Sequence, residues 1–243
     1  GVKIDEQSIL SSTGILDLKK VPKSLAVIGG GYIGLEMGSV WSRLGAEVTV
    51  VEYLDHILPG MDSEISQEFQ KILTKQGFKF KLNSKVMNIK KGKDTIAIEY
   101  EDNIKKIKTI LSTEKVLISV GRKPNTEGLN LSNLNIKKDE KGRIEIDGKF
   151  RTNVSNVFAI GDVVKGPMLA HKAEEEGIAV AEILGGQAGH VNYNVIPGVI
   201  YTSPEVATVG KSEDELKKEN ISYKIGKFPF LANSRAKVNN ETD

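Results

Sequence analysis

The sequence predicts an α/β fold with a parallel sheet, and three observations carry that expectation. First, the apolar run Leu25-Ala26-Val27-Ile28 breaks into glycines at Gly29, Gly31 and Gly34, and a helical pattern follows at once. Second, another apolar run, Val48-Thr49-Val50-Val51, ends on a carboxylate, Glu52, 18 residues after the last of those glycines. Third, short alternating segments between residues 86 and 110 interrupt the pattern before an apolar strand returns at 114–120. Strand, glycine turn, helix, strand, antiparallel insertion and returning strand make one self-contained domain of about 120 residues, an ordinary domain size.

The elements follow in order. Residues 1–20 are weakly patterned, with Ser11-Ser12-Thr13-Gly14 reading as a turn. Residues 23–28 form the first strand. Ile33, Met37, Val40, Trp41 and Leu44 fall at helical spacing, and Gly45 stops that helix. Residues 47–51 are almost continuously apolar, as a parallel strand buried on both faces must be. Asp62 caps a second helix, which sets Ile65, Phe69, Ile72 and Leu73 on one face and closes at Gly77. A third strand covers 78–82. Segments 86–89, 95–101 and 104–110 alternate as an antiparallel meander.

The returning strand ends at Gly121-Arg122, and residues 122–150 form a polar connection. A short strand over 157–160 ends in Gly161-Asp162, and a helix covers 168–184. Strands at 195–201 and 205–209, a helix at 213–219 and a strand at 223–230 complete the chain.

Composition narrows the function classes. Hydrophobic residues make up 39% and charged residues 27%, within the normal range for a globular protein. Thirty-four Lys and Arg offset 32 Asp and Glu, with the two signs interspersed, so neither a nucleic-acid nor a membrane surface is expected. No apolar run approaches the ~18 residues of a membrane span. The amino end lacks the apolar or Arg-rich pattern of an export or transit signal. The chain has no cysteine, which excludes disulfides, cysteine metal sites and thiol chemistry carried out by these residues.

The glycine turn carries the first functional expectation. Gly29 suits a tight exit from the strand, Gly31 lets backbone approach a pyrophosphate, and Gly34 lets helix and strand pack closely. The amides of residues 31–33 then point at phosphate oxygens, helped by the helix dipole. Glu52 can accept hydrogen bonds from both ribose hydroxyls and would repel a 2′-phosphate. No Lys or Arg occurs from 52 to 70 to offset that repulsion, so the pattern favours NAD over NADP. The plainer reading of Glu52 is a solvated carboxylate at a strand end.

Other positions admit two readings each. Glu36 either complements the helix dipole or lies near the nicotinamide end of the groove. Gly121 either brings backbone against the nicotinamide or permits a turn. Asp162 either binds a ribitol or sugar hydroxyl of a second cofactor or forms a turn. His56 and His190 lie in polar loops and His171 opens a helix; with no second ligand at suitable spacing, no metal site is expected.

Longer runs carry a family resemblance. Residues 29–36, Ser119-Val120-Gly121-Arg122-Lys123-Pro124-Asn125-Thr126, Val157-Phe158-Ala159-Ile160-Gly161-Asp162-Val163 and Met168-Leu169-Ala170-His171-Lys172-Ala173-Glu174 stand in an order and spacing that resembles the pyridine nucleotide–disulfide oxidoreductases. Gly38-Ser39-Val40-Trp41, Lys75-Gln76-Gly77-Phe78-Lys79-Phe80, Ile200-Tyr201-Thr202, Pro204-Glu205-Val206-Ala207 and Ala232-Asn233-Ser234-Arg235-Ala236 narrow it to dihydrolipoamide-oxidising members of the mitochondrial and alphaproteobacterial type.

The resemblance implies that electrons pass from dihydrolipoamide to a redox-active disulfide, then to FAD, then to NAD. It implies NAD contacts at Gly29, Gly30, Gly31, Tyr32, Ile33, Gly34, Leu35, Glu36, Glu52, Val86 and Gly121; Val86 reads as core on its own. It implies FAD contacts at Asp162, with Met168, Leu169, Ala170 and His171 against the pyrimidine edge. The implied layout is a tail of a first FAD segment (1–20), a Rossmann-like NAD domain with its meander (21–146) and a central FAD segment (147–192). The start of an α+β dimer-interface domain (193–243) follows.

Implied partners are dihydrolipoamide on the acyltransferase subunits of 2-oxoacid dehydrogenase complexes and a second copy in a homodimer. The implied compartment is bacterial cytoplasm or mitochondrial matrix. The family's FAD-phosphate glycine motif, Cys-x4-Cys pair and carboxy-terminal His-Glu pair are absent from these residues, so no catalytic residue is assigned and the chain alone is expected to be inactive. Another flavin disulfide reductase, a stand-alone NAD-binding regulatory module and an interaction scaffold are the alternatives.

Overall fold

The computed structural model describes residues 2–242; Gly1 and Asp243, the outermost residues of the first and last expected segments, lie outside them. The chain divides into two compact units: one formed by residues 1–120 together with 198–243, the other by residues 121–197.

The first unit is built on a parallel sheet. Its strands are β1 (Ile9–Leu10), β2 (Ser24–Ile28), β3 (Glu47–Val51), β4 (Lys79–Lys81) and, after the meander, β8 (Lys115–Ile118), in the order β1-β8-β2-β3-β4. The helices α1 (Tyr32–Arg43) and α2 (Ser63–Lys75) link β2 to β3 and β3 to β4. Register is the feature that matters for function. Ile28 stands opposite Val51 on one side and Ile118 on the other, so three strands end level. Gly29, Glu52 and Ser119 therefore leave the sheet at one edge, the carboxyl end where open α/β sheets bind ligands.

Both sheet faces are covered, which explains why the strands read as continuous apolar runs rather than as alternation. Leu25, Val27, Val48, Val50 and Leu117 pack with Leu35 and Trp41 of α1 and Phe69 and Leu73 of α2. Ala26, Ile28, Val51 and Val116 pack on the other face with Ile96, Ile98 and Tyr100. Those last residues belong to the meander of β5 (Ser84–Lys91), β6 (Ile96–Asp102) and β7 (Lys108–Thr113). The meander is thus the lid over one face of the sheet.

Near the carboxyl end, β9 (Gly198–Ile200) and β10 (Val206–Thr208) pair antiparallel, and Ile200 and Val206 join the helix-side core. In the second unit, α3 (Ala170–Leu184) packs Ala179 against Phe150 and Val191, while Ile136, Ile144, Ala159 and Val164 form a separate cluster. The short helices α4 (Glu213–Lys218) and α5 (Ser234–Asn239) come last in the chain, in the first unit. Residues 122–150, expected as a bare connection, supply Ile136, Ile144 and Phe150 to the second unit's cores and so group with it.

Four local expectations are corrected. Residues 157–160 form no strand: Phe158 makes one isolated bridge to Arg151 and nothing extends it into a ladder. Residues 223–230 find no pairing strand, and Phe230–Ala232 turn into a 3-10 helix. The third meander strand starts at Lys108, because the Asp102 carboxylate accepts the Ile104 and Lys105 amides and holds that stretch in a turn. Within residues 1–20, Ile9 and Leu10 form a strand that the sequence pattern did not mark, pairing with Val116 and Leu117. Two residues are too few to show a period.

Candidate functional site

The glycine turn is the joint between β2 and α1. Gly29 has φ +104, and a Cβ there would lie 2.6 Å from the Ser119 carbonyl oxygen. Gly34 sits where α1 crosses the strand end, and a Cβ would lie 2.3 Å from the Gly29 carbonyl oxygen. Gly31 differs from both: its φ is −82 and ψ −176, ordinary extended backbone, and nothing lies within 4 Å of a Cβ built on it. Folding does not require glycine at 31. The open space in front of it is where a ligand's phosphates would have to come close.

Gly31 caps α1 with no side-chain hydrogen bond, so the first-turn amides of this 12-residue helix keep their donors. Ser119 holds the turn from behind. Its hydroxyl bonds to the Ile28 and Gly29 carbonyls at 2.9 and 3.1 Å. The Leu58 amide donates to the Gly30 carbonyl at 2.9 Å. Carbonyls are thus tied down on the protein side, leaving an amide-rich, positive surface suited to an anion.

Glu52, at the tip of β3, is buried, with 8% exposure. Its Oε2 accepts the Gly30 amide at 2.6 Å and its Oε1 accepts the Leu54 amide at 2.8 Å. The reading of Glu52 as a freely solvated carboxylate is therefore excluded. Each oxygen retains a second lone-pair direction, so the carboxylate can still receive ribose hydroxyls.

Among the other positions, Tyr32 is half-buried, packs against the helix-side core and has its phenol pKa raised by burial. Ile33 is partly buried and Leu35 is fully buried. Glu36 accepts the Tyr201 amide at 2.9 Å, which neither sequence reading of Glu36 anticipated. Val86 lies in β5 at a register shift between Val86 and Asn88 and packs against the meander-side core, on an element separate from the turn.

In the second unit, Gly121 has φ +132, and nothing lies within 4 Å of its Cβ position. Asp162 pairs with Arg122, Oδ2 to Nη2 at 2.7 Å, and its side chain is 35% exposed. Met168 and Leu169 lead into α3, whose amino end begins at Ala170 and has no side-chain cap. His171 Nε2 donates to the Pro197 carbonyl at 2.7 Å. Behind Gly161 stand Lys172 and Glu176, both fully buried, with the hydroxyl of Tyr193 donating to Glu176. Burial, followed by Glu176, pushes the Tyr193 phenol up to about 12.

Sequence reasoning did not single out Ser119, Arg122, Lys172, Glu176 or Tyr193 as site residues. Lys172 and Glu176 stand at i, i+4 on a helix, a spacing that usually marks an exposed pair. Among the described residues, no group of three or more His, Cys, Asp or Glu could hold a metal ion, and no helix is long and apolar enough to cross a membrane.

Residues 1–177 match the family described as pyridine nucleotide-disulphide oxidoreductase. The chain belongs to that family. The dimerisation domain of the pyridine nucleotide-disulphide oxidoreductases matches residues 196–243. Similar proteins include the mitochondrial dihydrolipoyl dehydrogenases of Caenorhabditis elegans and Bos taurus, each 56% identical. Both alignments cover 100% of this chain, with 49% and 48% of those proteins.

The leghemoglobin reductase of Glycine max is 55% identical over 98% of this chain and 46% of its own length. The chain spans about half the length of the curated relatives it matches. Among solved structures, the HOCl-induced flavoprotein disulfide reductase RclA from Escherichia coli superposes with TM-score 0.87 and 28% identity. That match covers 97% of this chain and 53% of that one. LpdA from Mycobacterium tuberculosis gives 0.87 at 25% identity, over 98% and 51%. Pyridine nucleotide-disulphide oxidoreductases are flavin enzymes that use NAD or NADP, and the α/β architecture here is theirs.

Proposed function

We propose that this chain is the NAD-binding core of a dihydrolipoamide dehydrogenase, with the central flavin segment and the beginning of the dimer-interface domain. The buried Glu52 carboxylate locked onto the Gly30 amide carries the NAD assignment. A 2′-phosphate would bring a second negative charge against a carboxylate sheltered from water, where repulsion is strongest. The whole-chain likeness to dihydrolipoyl dehydrogenases supports the choice of thiol substrate.

On this reading the first-turn amides of α1 hold the pyrophosphate, and Glu52 accepts the adenosine ribose hydroxyls. Tyr32, Ile33, Leu35, Glu36 and Val86 complete the nucleotide groove, and Gly121 is a further NAD contact. Asp162 receives the flavin ribitol, and the uncapped amino end of α3, with Met168, Leu169, Ala170 and His171, faces the pyrimidine edge. The residues fit such a group: Asp162 has a free acceptor oxygen beside Arg122, and the helix end offers donors and a positive dipole to carbonyl oxygens. Bound there, the flavin would supply two-electron transfer between a dithiol and nicotinamide.

These residues contain no cysteine, so the electron entry is not among them, and the 243 residues alone turn over no dihydrolipoamide. The remaining inferences are a homodimer, acyltransferase-bound dihydrolipoamide as substrate, and a mitochondrial matrix or bacterial cytoplasmic setting. The mitochondrial names of the relatives favour the matrix.

The test is steady-state reduction of NAD and of NADP by dihydrolipoamide with the complete gene product. The expected result is turnover with NAD and at least a hundredfold preference over NADP in kcat/KM, about 2.7 kcal/mol. Equal use of both nucleotides, or turnover with glutathione and none with dihydrolipoamide, overturns the reading.

A further inference from the structure

The nucleotide assignments leave the buried charges of the second unit without a role. Lys172 and Glu176 stand one turn apart on α3 with side chains 0% and 1% exposed, and their Nζ and Oε1 atoms are 3.1 Å apart. Such a pair contributes little net stability. Desolvating both charges offsets their attraction, and well-packed apolar residues often serve as well or better.

What an apolar pair could not do is hold a peptide. Lys172 Nζ donates to the Gly161 carbonyl at 2.9 Å, and Glu176 Oε2 accepts the Gly161 amide at 2.6 Å. Both polar groups of one residue are captured by one ion pair. Tyr193 closes the network from the far side, its hydroxyl donating to Glu176 Oε1 at 2.8 Å. Gly161 has φ +75, and it immediately precedes Asp162. From the other direction Arg122 holds one Asp162 oxygen. The backbone and side chain of Asp162 are thus steered separately, one from a buried ion pair and one from a half-exposed guanidinium.

We propose that Lys172, Glu176 and Tyr193 are positioning residues that set the Gly161 peptide and so aim the Asp162 carboxylate at a polyol hydroxyl. The proposal rests on the reading of Asp162 as the flavin ribitol contact. The network acts through geometry, so its loss shows in flavin affinity and flavin environment as well as in folding.

The complete gene product, purified with its flavin, provides the test. The variants are Tyr193→Phe, the double change Lys172→Met with Glu176→Leu, and Asp162→Asn. The double change replaces two buried charges by apolar groups of similar volume and leaves no charge stranded. The readouts are the flavin dissociation constant, the visible flavin absorption bands and the thermal unfolding midpoint.

At metal sites, loss of a partner that orients a ligating side chain typically costs about ten- to a hundredfold in affinity, and a loss of that order is expected here. The double variant is expected to lose affinity in that range, with shifted flavin bands, and to unfold at a lower midpoint because the buried Gly161 amide and carbonyl lose their partners. Tyr193→Phe is expected to lose less, in the same direction. A double variant, or a Tyr193→Phe protein should the double variant not fold, with wild-type flavin affinity and bands overturns the positioning role. Loss in Asp162→Asn without loss in the others overturns this proposal alone. No loss in any variant overturns the ribitol reading as well.

Discussion

The Glu52 carboxylate reaches across the strand ends and accepts the Gly30 amide at 2.6 Å while remaining 8% exposed. One side chain therefore shapes the glycine turn and, on the proposed reading, also meets the ribose. Glutamine offers one acceptor oxygen where Gly30 and Leu54 require two. Glu52→Gln should cost about 1–3 kcal/mol through the stranded amide. It should also weaken NAD binding and narrow the gap to NADP. Denaturant unfolding and calorimetric titration with both nucleotides check this; unchanged discrimination would remove Glu52 from the ribose site.

Gly31 and Gly34 should respond oppositely to the same methyl group. Gly31→Ala meets open space and extended backbone, so stability should stay within about 0.5 kcal/mol while NAD affinity falls at least tenfold. Gly34→Ala drives a Cβ to 2.3 Å from the Gly29 carbonyl oxygen. Overpacking of this kind costs about 1–3 kcal/mol. Thermal unfolding and nucleotide titration of the two variants separate the effects. Equal destabilisation would contradict the assignment of the space before Gly31 to a ligand.

Tyr193 supplies a pH prediction. Its phenol is pushed up from 10.0 to about 12, chiefly by burial and then by the Glu176 carboxylate beside it. A raised pKa means that the folded protein favours the protonated form. The stability that Tyr193 contributes relative to phenylalanine should be complete below pH 10 and fade as pH rises from 10 towards 12. Urea unfolding of wild type and Tyr193→Phe across that range measures the fading difference. A constant difference would mean the phenol is not held as described.

Two carboxylates exchange caps between helices of the first unit. Asp62, the N-cap of α2, accepts the Glu64 amide at 3.0 Å and the Glu213 amide of α4 at 3.2 Å. Asp214 of α4 accepts the Ser63 amide at 3.3 Å. Asp62→Ala should cost about 1 kcal/mol as a lost cap. Its effect should be non-additive with Asp214→Ala by at least about 0.5 kcal/mol. Strict additivity in the double-mutant cycle would show that the exchange carries no coupling.

Much of the first unit was legible because its signals are local. Glycine positions, helical spacing and near-continuous apolar strands give β2, α1, β3 and α2 within a residue or so, and the Asp62 cap is where the spacing put it. Misreadings arose where structure depends on a distant neighbour. Ile9 and Leu10 become a strand only because Val116 and Leu117 lie beside them. Residues 157–160 and 223–230 have strand composition without a ladder partner. Ser119 orders the turn from 90 residues away, and no local pattern around it says so.

By itself the sequence determined the glycine turn, the acid at the second strand's tip, the α/β class and the family, because each is written in short-range spacing or in motif order. Tertiary structure alone decided what those groups do to one another. Glu52 proved to be buried and bound to Gly30, and Lys172 and Glu176, helical charges of the kind usually left in water, proved to be sealed against Gly161. A carboxylate's burial and partners depend on chain segments that fold back on it, and one-dimensional spacing does not encode that closure.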